Sequence, residues 1–177
     1  MRNDETMMLT QNDLKKILEQ AYQAAKLEKS LLRVDKNGLK TTTKMHIAVV
    51  DRGGRVIGQK SMDDAWMGSI SVARAKAFTA AAFSSNENAL STRSIGFLSQ
   101  PGQALWQLGN SNVSEGIIEF PGGLPLYKNG ELVGGIGVSG DGVDQDEKVA
   151  LAGSKGFEAD SAIRVNTVTD NSVPYIG

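Results

Sequence analysis

A glycine-rich segment, Phe120–Gly142, constrains the fold of this chain more than any other part of the sequence. It holds two apolar runs separated by Lys128-Asn129-Gly130, and Asn-Gly between such runs is a strong signal for a β-hairpin. The second run contains Gly134, Gly135 and Gly137. Glycine weakens a strand unless another group approaches its backbone closely. The segment therefore predicts a hairpin against which a helix, a ligand or another subunit packs.

Three stretches of the sequence predict helices. Residues 10–28 place their apolar side chains on one stripe, and Thr10 begins a capping box. Residues 66–84 are rich in alanine, and their small side chains share one narrow face, with Lys76 about 60° to one side of it. Residues 143–157 predict a third helix, because acidic residues fill its first turn, where the helix dipole favours them.

Short apolar runs between turn sequences predict the strands. His46–Val50 and Arg55–Lys60 flank an Asp-Arg-Gly-Gly turn and predict a hairpin. An Asn-Gly turn within residues 29–44 predicts a small excursion of the chain, such as a hairpin. The alternation over residues 161–168 predicts a last strand. Hairpins build an antiparallel sheet that helices from separate parts of the chain can cover, which is the α+β class.

Length and composition favour one domain over residues 1–177, with its core at about 8–157 and a C-terminal strand and tail at 158–177. The chain has no cysteine, which excludes disulfides and thiolate chemistry. No apolar run is long enough for a secretory signal or a membrane span, so the sequence predicts a cytoplasmic protein with no membrane partner. Residues 85–115 are the least regular part and predict a long loop.

The net charge of −1 conceals two segments of opposite charge. Residues 26–60 carry nine Lys or Arg against three acidic residues, whereas residues 115–160 carry nine acidic residues against three lysines. A nucleic-acid-binding face combines clustered basic groups with aromatic side chains or a docking helix. The basic segment has no aromatic residue and its charges interrupt turns, so the sequence predicts no nucleic-acid partner. The charges are instead expected to be solvated, with some attraction between subunits.

Four ordered stretches of the sequence match a known family. They are Ile47–Gly54, Met62–Ala65, Ala73–Ala80, and Phe120–Pro125 continuing to Gly134–Gly140 and Gln145–Glu147. Together they resemble the GlcG/HbpS-like family of haem-binding or haem-degrading proteins. They are also similar to the C-terminal domain of PduO-type cobalamin adenosyltransferases. No single stretch is specific to the family, but their order and spacing are, over about residues 8–157.

The resemblance implies a five-stranded antiparallel sheet flanked by helices, similar to profilin and PAS-like domains. It also implies a homo-oligomer, from a dimer upward to an octamer, and a small-molecule ligand that is haem in some members. The chain departs from the family pattern in two places. Its connection Lys26–Lys44 is longer than usual, and its single histidine, His46, matches no haem-ligating position of the family.

Backbone amides of the glycine-rich segment are the leading candidate for a ligand site. Gly122 and Gly123, together with Ser139 and the adjoining Gly140, offer N–H groups that could form an anion-binding concavity. Lys76, on the alanine-rich helix, would supply a positive charge. The alternative is structural: the glycines permit tight turns, the serine fixes a bend, and the lysine ammonium reaches water.

Haem is the one cofactor that the resemblance suggests, and it requires an iron ligand beside an apolar slot. The candidate ligands are His46, Met62, Met67 and Tyr127. For His46 the alternative is a strand-edge histidine hydrogen-bonded to its surroundings. The acidic clusters lack the spacing of metal ligands, so the sequence predicts no metal site, and it identifies no catalytic residue.

Three functions stay open on the sequence alone. The first is a small-molecule-binding accessory protein of bacterial catabolism, with or without a modest enzymatic activity on a small anionic metabolite. The second is a haem-binding protein for storage, sensing or degradation. The third is a structural homo-oligomer that packs subunits through its glycine-rich surface and acts through protein partners.

Overall fold

A computed structural model describes residues 8–110 and 116–177. The helices are α1 (Gln11–Leu27), α2 (Gly68–Ala82), α3 (Thr92–Leu98), α4 (Val143–Gly153) and α5 (Val165–Val168), with a 3-10 turn at Ser161–Ile163. The strands are β1 (Lys29–Val34), β2 (Lys40–Thr42), β3 (His46–Asp51), β4 (Val56–Ser61), β5 (Gly123–Lys128) and β6 (Glu131–Ser139). The predicted loop 85–115 contains α3, and its last part, 111–115, lies outside the described residues.

Local sequence signals account for the first helix and for the hairpins. Thr10 Oγ1 accepts the backbone N–H of Asp13, and the Asp13 carboxylate accepts the backbone N–H of Thr10, which confirms the capping box. The predicted hairpins β3–β4 and β5–β6 are both confirmed as antiparallel pairs. The excursion at 29–44 is also a hairpin, formed by β1 and β2.

The strands form two separate antiparallel sheets. One has four strands in the order β4-β3-β6-β5, and the other is the two-stranded β1–β2 hairpin. The antiparallel α+β architecture is therefore confirmed, whereas the single five-stranded sheet is wrong. Side chains bind the backbone of β1: Ser30 Oγ accepts the N–H of Arg33, and the Asp141 carboxylate accepts that of Leu31.

Helices cover both faces of the four-stranded sheet. Helix α2 packs against β3, β5 and β6, whereas α1 packs against β3 and β4 and α4 against β5 and β6. The larger apolar core includes Ile17 of α1, Ile136 of β6 and Val149 of α4. A smaller core consists of alanines of α2 together with Ala48 and Val50 of β3. Alternation along β3 separates the two cores onto opposite faces of the sheet.

Helix α2 and strand β6 approach each other closely. A Cβ on Gly137 would lie well inside 3.0 Å of the carbonyl oxygen of Ala73, and a Cβ on Gly135 would be similarly close to that of Ala77. Only glycine permits this contact, because a methyl group would overlap helix backbone rather than a movable side chain. The neighbour that the glycine-rich strand predicts is therefore α2 of the same chain.

Residues 158–177 differ from their prediction. The alternation over 161–168 predicts a strand, but these residues form the 3-10 turn followed by α5. The Asp160 carboxylate accepts the backbone N–H of Ala162 and so caps the turn. A local side-chain bond thus stabilises a helical turn in place of a strand ladder, and the predicted C-terminal strand is wrong.

Candidate functional site

The predicted ligand residues Lys76, Gly122 and Gly123 meet at one place, which we call the Lys76 junction. Lys76 is only 1% exposed, although lysine is seldom buried without a partner. Its Nζ donates to Asp146 Oδ2 at 2.8 Å and to the carbonyl oxygen of Val138 at 2.9 Å. Helix α2 supplies the lysine and α4 the carboxylate, so the junction joins the two helices through the end of β6.

Burial shifts both titratable groups of the junction toward their neutral forms. Desolvation lowers the pKa of Lys76, and the nearby Asp146 carboxylate opposes that shift. Burial raises the pKa of Asp146 to about 6, and the Lys76 ammonium opposes that shift in turn. Asp146 also accepts the backbone N–H of Asp141 at 3.1 Å. The junction therefore holds an ion pair in surroundings that disfavour either charge alone.

The two glycines allow the chain to lie directly against the lysine. Gly122 has a φ of +125°, and a Cβ there would lie 2.9 Å from Lys76 Nζ. A Cβ on Gly123 would overlap the backbone carbonyl of Lys76. The Gly123 N–H donates to Thr92 Oγ1 at 2.8 Å. The Gly123 amide, which the sequence predicts to bind an anion, is thus bound to the Thr92 hydroxyl of α3.

Ser139 lies at the end of β6 and directly follows Val138, whose carbonyl oxygen accepts from Lys76 Nζ. It is buried and stands opposite His46 in the sheet register. The structure therefore brings all four predicted ligand residues into one neighbourhood. An anion at this place stays a prediction, and it would have to replace the Asp146 carboxylate as the partner of the lysine.

His46, the predicted haem ligand, is buried, and both of its ring nitrogens have partners. Nε2 lies 2.9 Å from the carbonyl oxygen of Trp66, and Nδ1 lies 2.7 Å from Ser61 Oγ. Because a carbonyl oxygen only accepts, we assign the proton to Nε2, which leaves Nδ1 to accept from the serine hydroxyl. Iron at either nitrogen would have to break one of these hydrogen bonds, so haem ligation by His46 stays a prediction.

The other candidate haem ligands occupy unlike surroundings. Met62 is buried, and its sulfur accepts the backbone N–H of Met45. Tyr127 is buried, and its hydroxyl donates to the carbonyl oxygen of Ser85 at 2.7 Å. Met67 is 84% exposed at the start of α2.

A cleft that the sequence did not predict lies between the start of α1 and the β3–β4 turn, and we call it the α1 cleft. Its volume is about 400 Å³. Its walls are mostly apolar and its edge carries charges. The lining residues are Met8, Leu9, Gln11, Leu14, Asp51, Arg52, Gly53, Arg55, Ile57 and Val133.

Hydrogen bonds hold the charged edge of the α1 cleft in place. Asp51 Oδ1 accepts the backbone N–H groups of Gly53 and Arg55, at 2.9 and 3.0 Å. Asp51 Oδ2 accepts from Arg55 Nε at 3.0 Å. Arg52 Nη1 donates to the carbonyl oxygen of Leu132 at 3.3 Å. The turn Asp51–Arg55 is thus a fixed element with two guanidinium groups, although its sequence indicates only a turn.

Two further findings limit the chemistry of the described residues. Within 8–110 and 116–177, no group of three or more His, Cys, Asp or Glu is arranged to hold a metal ion. Among the helices that the structure describes, none has the length and apolar character to cross a membrane.

Comparisons with known proteins agree with the architecture. The sequence model of the family described as haem degrading protein HbpS-like matches residues 9–155. An uncharacterized 15.0 kDa protein in the dhaT-dhaS intergenic region of Citrobacter freundii is 34% identical over 126 residues, 71% of this chain and 84% of that protein. A solved structure of a PduOC:haem complex has a TM-score of 0.70 at 25% identity, covering 96% of this chain and 99% of that chain.

The corrinoid adenosyltransferase PduO of Salmonella typhimurium is 35% identical over 104 residues, 59% of this chain. The match covers only 29% of PduO. An antiparallel sheet with helices on both faces is thus shared with a domain that occurs within larger proteins. The chain belongs to the HbpS-like family, as the four sequence stretches predict.

Proposed function

We propose that this chain is a small-molecule-binding accessory protein whose ligand is an amphipathic anion held in the α1 cleft. One observation carries the proposal: apolar walls and two guanidinium groups line the same space of about 400 Å³. Small-molecule sites commonly have volumes of about 300–1,000 Å³, with mostly apolar walls and a few polar groups that orient the ligand.

The two kinds of lining residue would have separate roles. Leu14, Ile57 and Val133 would remove the apolar part of the ligand from water, at about 0.8 kcal/mol for each CH₂ group buried. Arg52 and Arg55 would bind its carboxylate or sulfonate group, because the planar guanidinium presents paired donors to an oxyanion. The charge would therefore orient the ligand, and apolar burial would supply most of the affinity.

A second cavity of comparable size suits such a ligand less well. Its volume is about 550 Å³, and its lining includes Lys128, Glu158 and Asp160. Its two carboxylates outnumber its one lysine and would repel an anion, whereas the single carboxylate of the α1 cleft, Asp51, is accompanied by two arginines. Fewer apolar side chains also surround this second space. This contrast supports the α1 cleft as the site.

The accessory role in bacterial catabolism is part of the same proposal. It rests on the similarity to PduO, a corrinoid adenosyltransferase, and to the Citrobacter protein. The match to less than a third of PduO supports a module that assists a catalytic unit. We assign no catalytic residue to the α1 cleft.

Haem is the second candidate ligand, because one solved relative is a PduOC:haem complex. The α1 cleft offers apolar walls, two cations for the propionate groups, and the thioether of Met8. Methionine is among the axial ligands that haem iron accepts in proteins, and bound haem would supply iron redox chemistry. His46 stands at the opposite end of β3 from Asp51, about 17 Å along the strand, and so does not line this cleft.

Binding of 1-anilinonaphthalene-8-sulfonate, an aromatic sulfonate, tests the α1 cleft. We expect its fluorescence to rise on binding to the folded protein and Ile57→Trp to weaken binding at least tenfold, because the indole would fill the cleft. Val56→Trp is the matched control, since Val56 is the exposed neighbour on β4 and does not line the cleft. Equal binding by the two variants would contradict the proposed site.

Titration with haemin tests the second candidate. If haem binds in the α1 cleft through Met8, the Soret band will shift on binding, and Met8→Ala will change the band position or abolish the shift. Met67→Ala is the control, because Met67 is exposed and lies outside the cleft. A Soret spectrum that Met8→Ala leaves unchanged would exclude this ligation, and no shift at all would remove haem as the ligand.

A further inference from the structure

Ser61 and the single histidine of the chain are joined by a hydrogen bond across the β3–β4 hairpin. They stand opposite each other in the antiparallel register, and Ser61 Oγ lies 2.7 Å from His46 Nδ1. Ser61 is exposed to solvent, whereas His46 is buried. Nucleophilic catalysis by serine requires such a pair, in which the imidazole accepts the hydroxyl proton and a third group orients the ring.

A neighbouring amide fixes the direction of the hydrogen bond between Ser61 and His46. Arg74 Nε donates to Gln59 Oε1 at 2.8 Å, and because a guanidinium only donates, the oxygen of the Gln59 amide must face it. The nitrogen of that amide therefore faces the serine, and Gln59 Nε2 donates to Ser61 Oγ at 3.1 Å. The serine oxygen thus accepts from Gln59, and its own proton is directed to His46 Nδ1.

A backbone carbonyl takes the place that a carboxylate has in a serine–histidine–aspartate triad. The carbonyl oxygen of Trp66 lies 2.9 Å from His46 Nε2 and also accepts the backbone N–H of Ser69 at 3.0 Å. The Arg33 guanidinium lies 4.6 Å from the Trp66 ring and helps to hold this loop in place. An acceptor on this side of the ring keeps the histidine in the tautomer and orientation that a general base needs.

We propose that Ser61 is a catalytic nucleophile and that this chain hydrolyses small carboxylic esters. Ser61 Oγ bonds to the acyl carbon of the ester while its proton passes to His46 Nδ1. The bond from the acyl carbon to the alcohol oxygen then breaks, and the alcohol leaves with that proton. Water next gives a proton to His46 and attacks the acyl-serine. The carboxylic acid is released, and the proton returns from His46 to Ser61 Oγ.

Gln59 supplies a donor for the charge that develops on the ester carbonyl oxygen. When Ser61 Oγ bonds to the acyl carbon, the oxyanion forms beside Oγ and within reach of the same Gln59 N–H group. The hydrogen bond from Arg74 holds the amide in this orientation before the substrate binds. The donor is therefore in place without a rearrangement of the protein.

The third member of the group limits which substrates can react. A peptide carbonyl carries only a partial negative charge, so it stabilises the imidazolium of His46 less than an aspartate carboxylate would. The reaction therefore depends on a good leaving group, which favours esters over amides. Since Ser61 lies at the surface, a small acyl group such as acetyl can reach it without a deep acyl pocket.

Hydrolysis of p-nitrophenyl acetate, an activated small ester, tests the proposal. We expect Ser61→Ala to lower the rate of p-nitrophenolate release by about tenfold or more, because it removes the nucleophile. Ser71→Ala is the matched control, since Ser71 is an exposed serine of α2, and it should leave the rate unchanged. A Ser61→Ala rate equal to that of the wild type would overturn the proposal, and so would a wild type that is no faster than buffer. Ser61 does not line the α1 cleft, so the result is independent of the function proposed for that cleft.

Thiol chemistry tests the pair without ester turnover, because the chain has no cysteine of its own. In Ser61→Cys, His46 would take up the thiol proton and leave the reactive thiolate. At about pH 7 this thiol should react with iodoacetamide about tenfold faster than that of Ser71→Cys, and adding His46→Gln should remove the difference. Equal rates for Ser61→Cys and Ser71→Cys would mean that His46 is not a base for this position, which would also overturn the proposal.

Discussion

The Lys76 junction and the α1 cleft lie toward opposite ends of β6, at Val138 and Val133, and differ in how they are built. The junction contains what the sequence makes conspicuous, namely glycines in a strand and a lysine on an alanine-rich helix, and these groups are buried against one another. The cleft consists of ordinary residues from α1, the β3–β4 turn and β6, and it leaves a space of about 400 Å³. The residues that stand out in the sequence are therefore buried in close packing, whereas the open α1 cleft is lined by residues that the sequence does not single out.

The glycine-rich segment bears on one of the functions that the sequence leaves open, a structural homo-oligomer that packs subunits through its glycine-rich surface. In the structure, Gly135 and Gly137 lie against α2 of their own chain, so that contact is already made within one molecule. Exposed aliphatic side chains are found instead at the end of α1 and on the β1–β2 hairpin, among them Leu27, Leu32 and Leu39.

The largest expected effect comes from breaking the ion pair of the Lys76 junction. Asp146→Ala should lower the free energy of unfolding by about 3–5 kcal/mol, because it leaves the Lys76 ammonium buried without its counter-charge. The double variant Lys76→Met with Asp146→Leu should recover most of that loss, since it removes both charges. Urea unfolding of the three proteins measures these differences.

The same variant tests whether the junction binds anions. If Asp146→Ala is stabilised by phosphate more than the wild type is, an anion has taken the place of the carboxylate, which would support the ligand role predicted for Lys76. A single-variant loss below about 1 kcal/mol without added anion would instead contradict the structural importance of the pair.

The close contact between α2 and β6 gives the next largest effect. Gly137→Ala should lower the free energy of unfolding by about 3 kcal/mol, because the added methyl group overlaps the backbone carbonyl of Ala73 and the helix must move. Gly68→Ala, at the start of the same helix, meets no atom within 4 Å and should be neutral or slightly stabilising. Thermal unfolding of both variants checks the comparison, and similar melting temperatures would argue against the close contact.

The smallest expected effect is a pH dependence that belongs to the junction and not to the cleft. The pKa of Asp146 is raised to about 6 in the folded state, from an ordinary value of 3.8. A raised pKa means that the folded state binds the proton of Asp146 more tightly than the unfolded state does. The stability that this tighter proton binding provides is complete below pH 3.8 and is lost as the pH rises through 6. The stability advantage of the wild type over Asp146→Asn should therefore shrink by roughly 2 kcal/mol between pH 4 and pH 7.

Chemical denaturation at several pH values measures this difference. Ile57→Trp provides the comparison, because its change is in the α1 cleft and leaves Asp146 intact. Its stability difference from the wild type should not vary over the same pH range. A wild-type advantage over Asp146→Asn that grows with pH would mean that the carboxyl pKa is lowered, contrary to the burial of the group.

Much of the fold could be predicted from particular residues. The capping box of Thr10 and the turn at Asn129-Gly130 act within a few residues of themselves, and the elements that they begin or join are present. The strand predicted at 161–168 is wrong because another local signal competes with the alternation. The Asp160 side chain caps a helical turn in this segment. The contact that attaches β1 to the rest of the domain involves Asp141, which is 110 positions away from Leu31 in the sequence, and no local pattern predicts it.

The sequence by itself determined the secondary structure of the core, the family, and the need for a close neighbour beside β6. Tertiary structure decided what that neighbour is, that Lys76 meets a carboxylate 70 positions further along the chain, and that a cleft opens between α1 and the β3–β4 turn. The physical reason is the separation in sequence over which each interaction acts. Turns, caps and periodic patterns depend on residues close in sequence, whereas charge pairing, close packing and open volume depend on side chains that only the complete fold brings together.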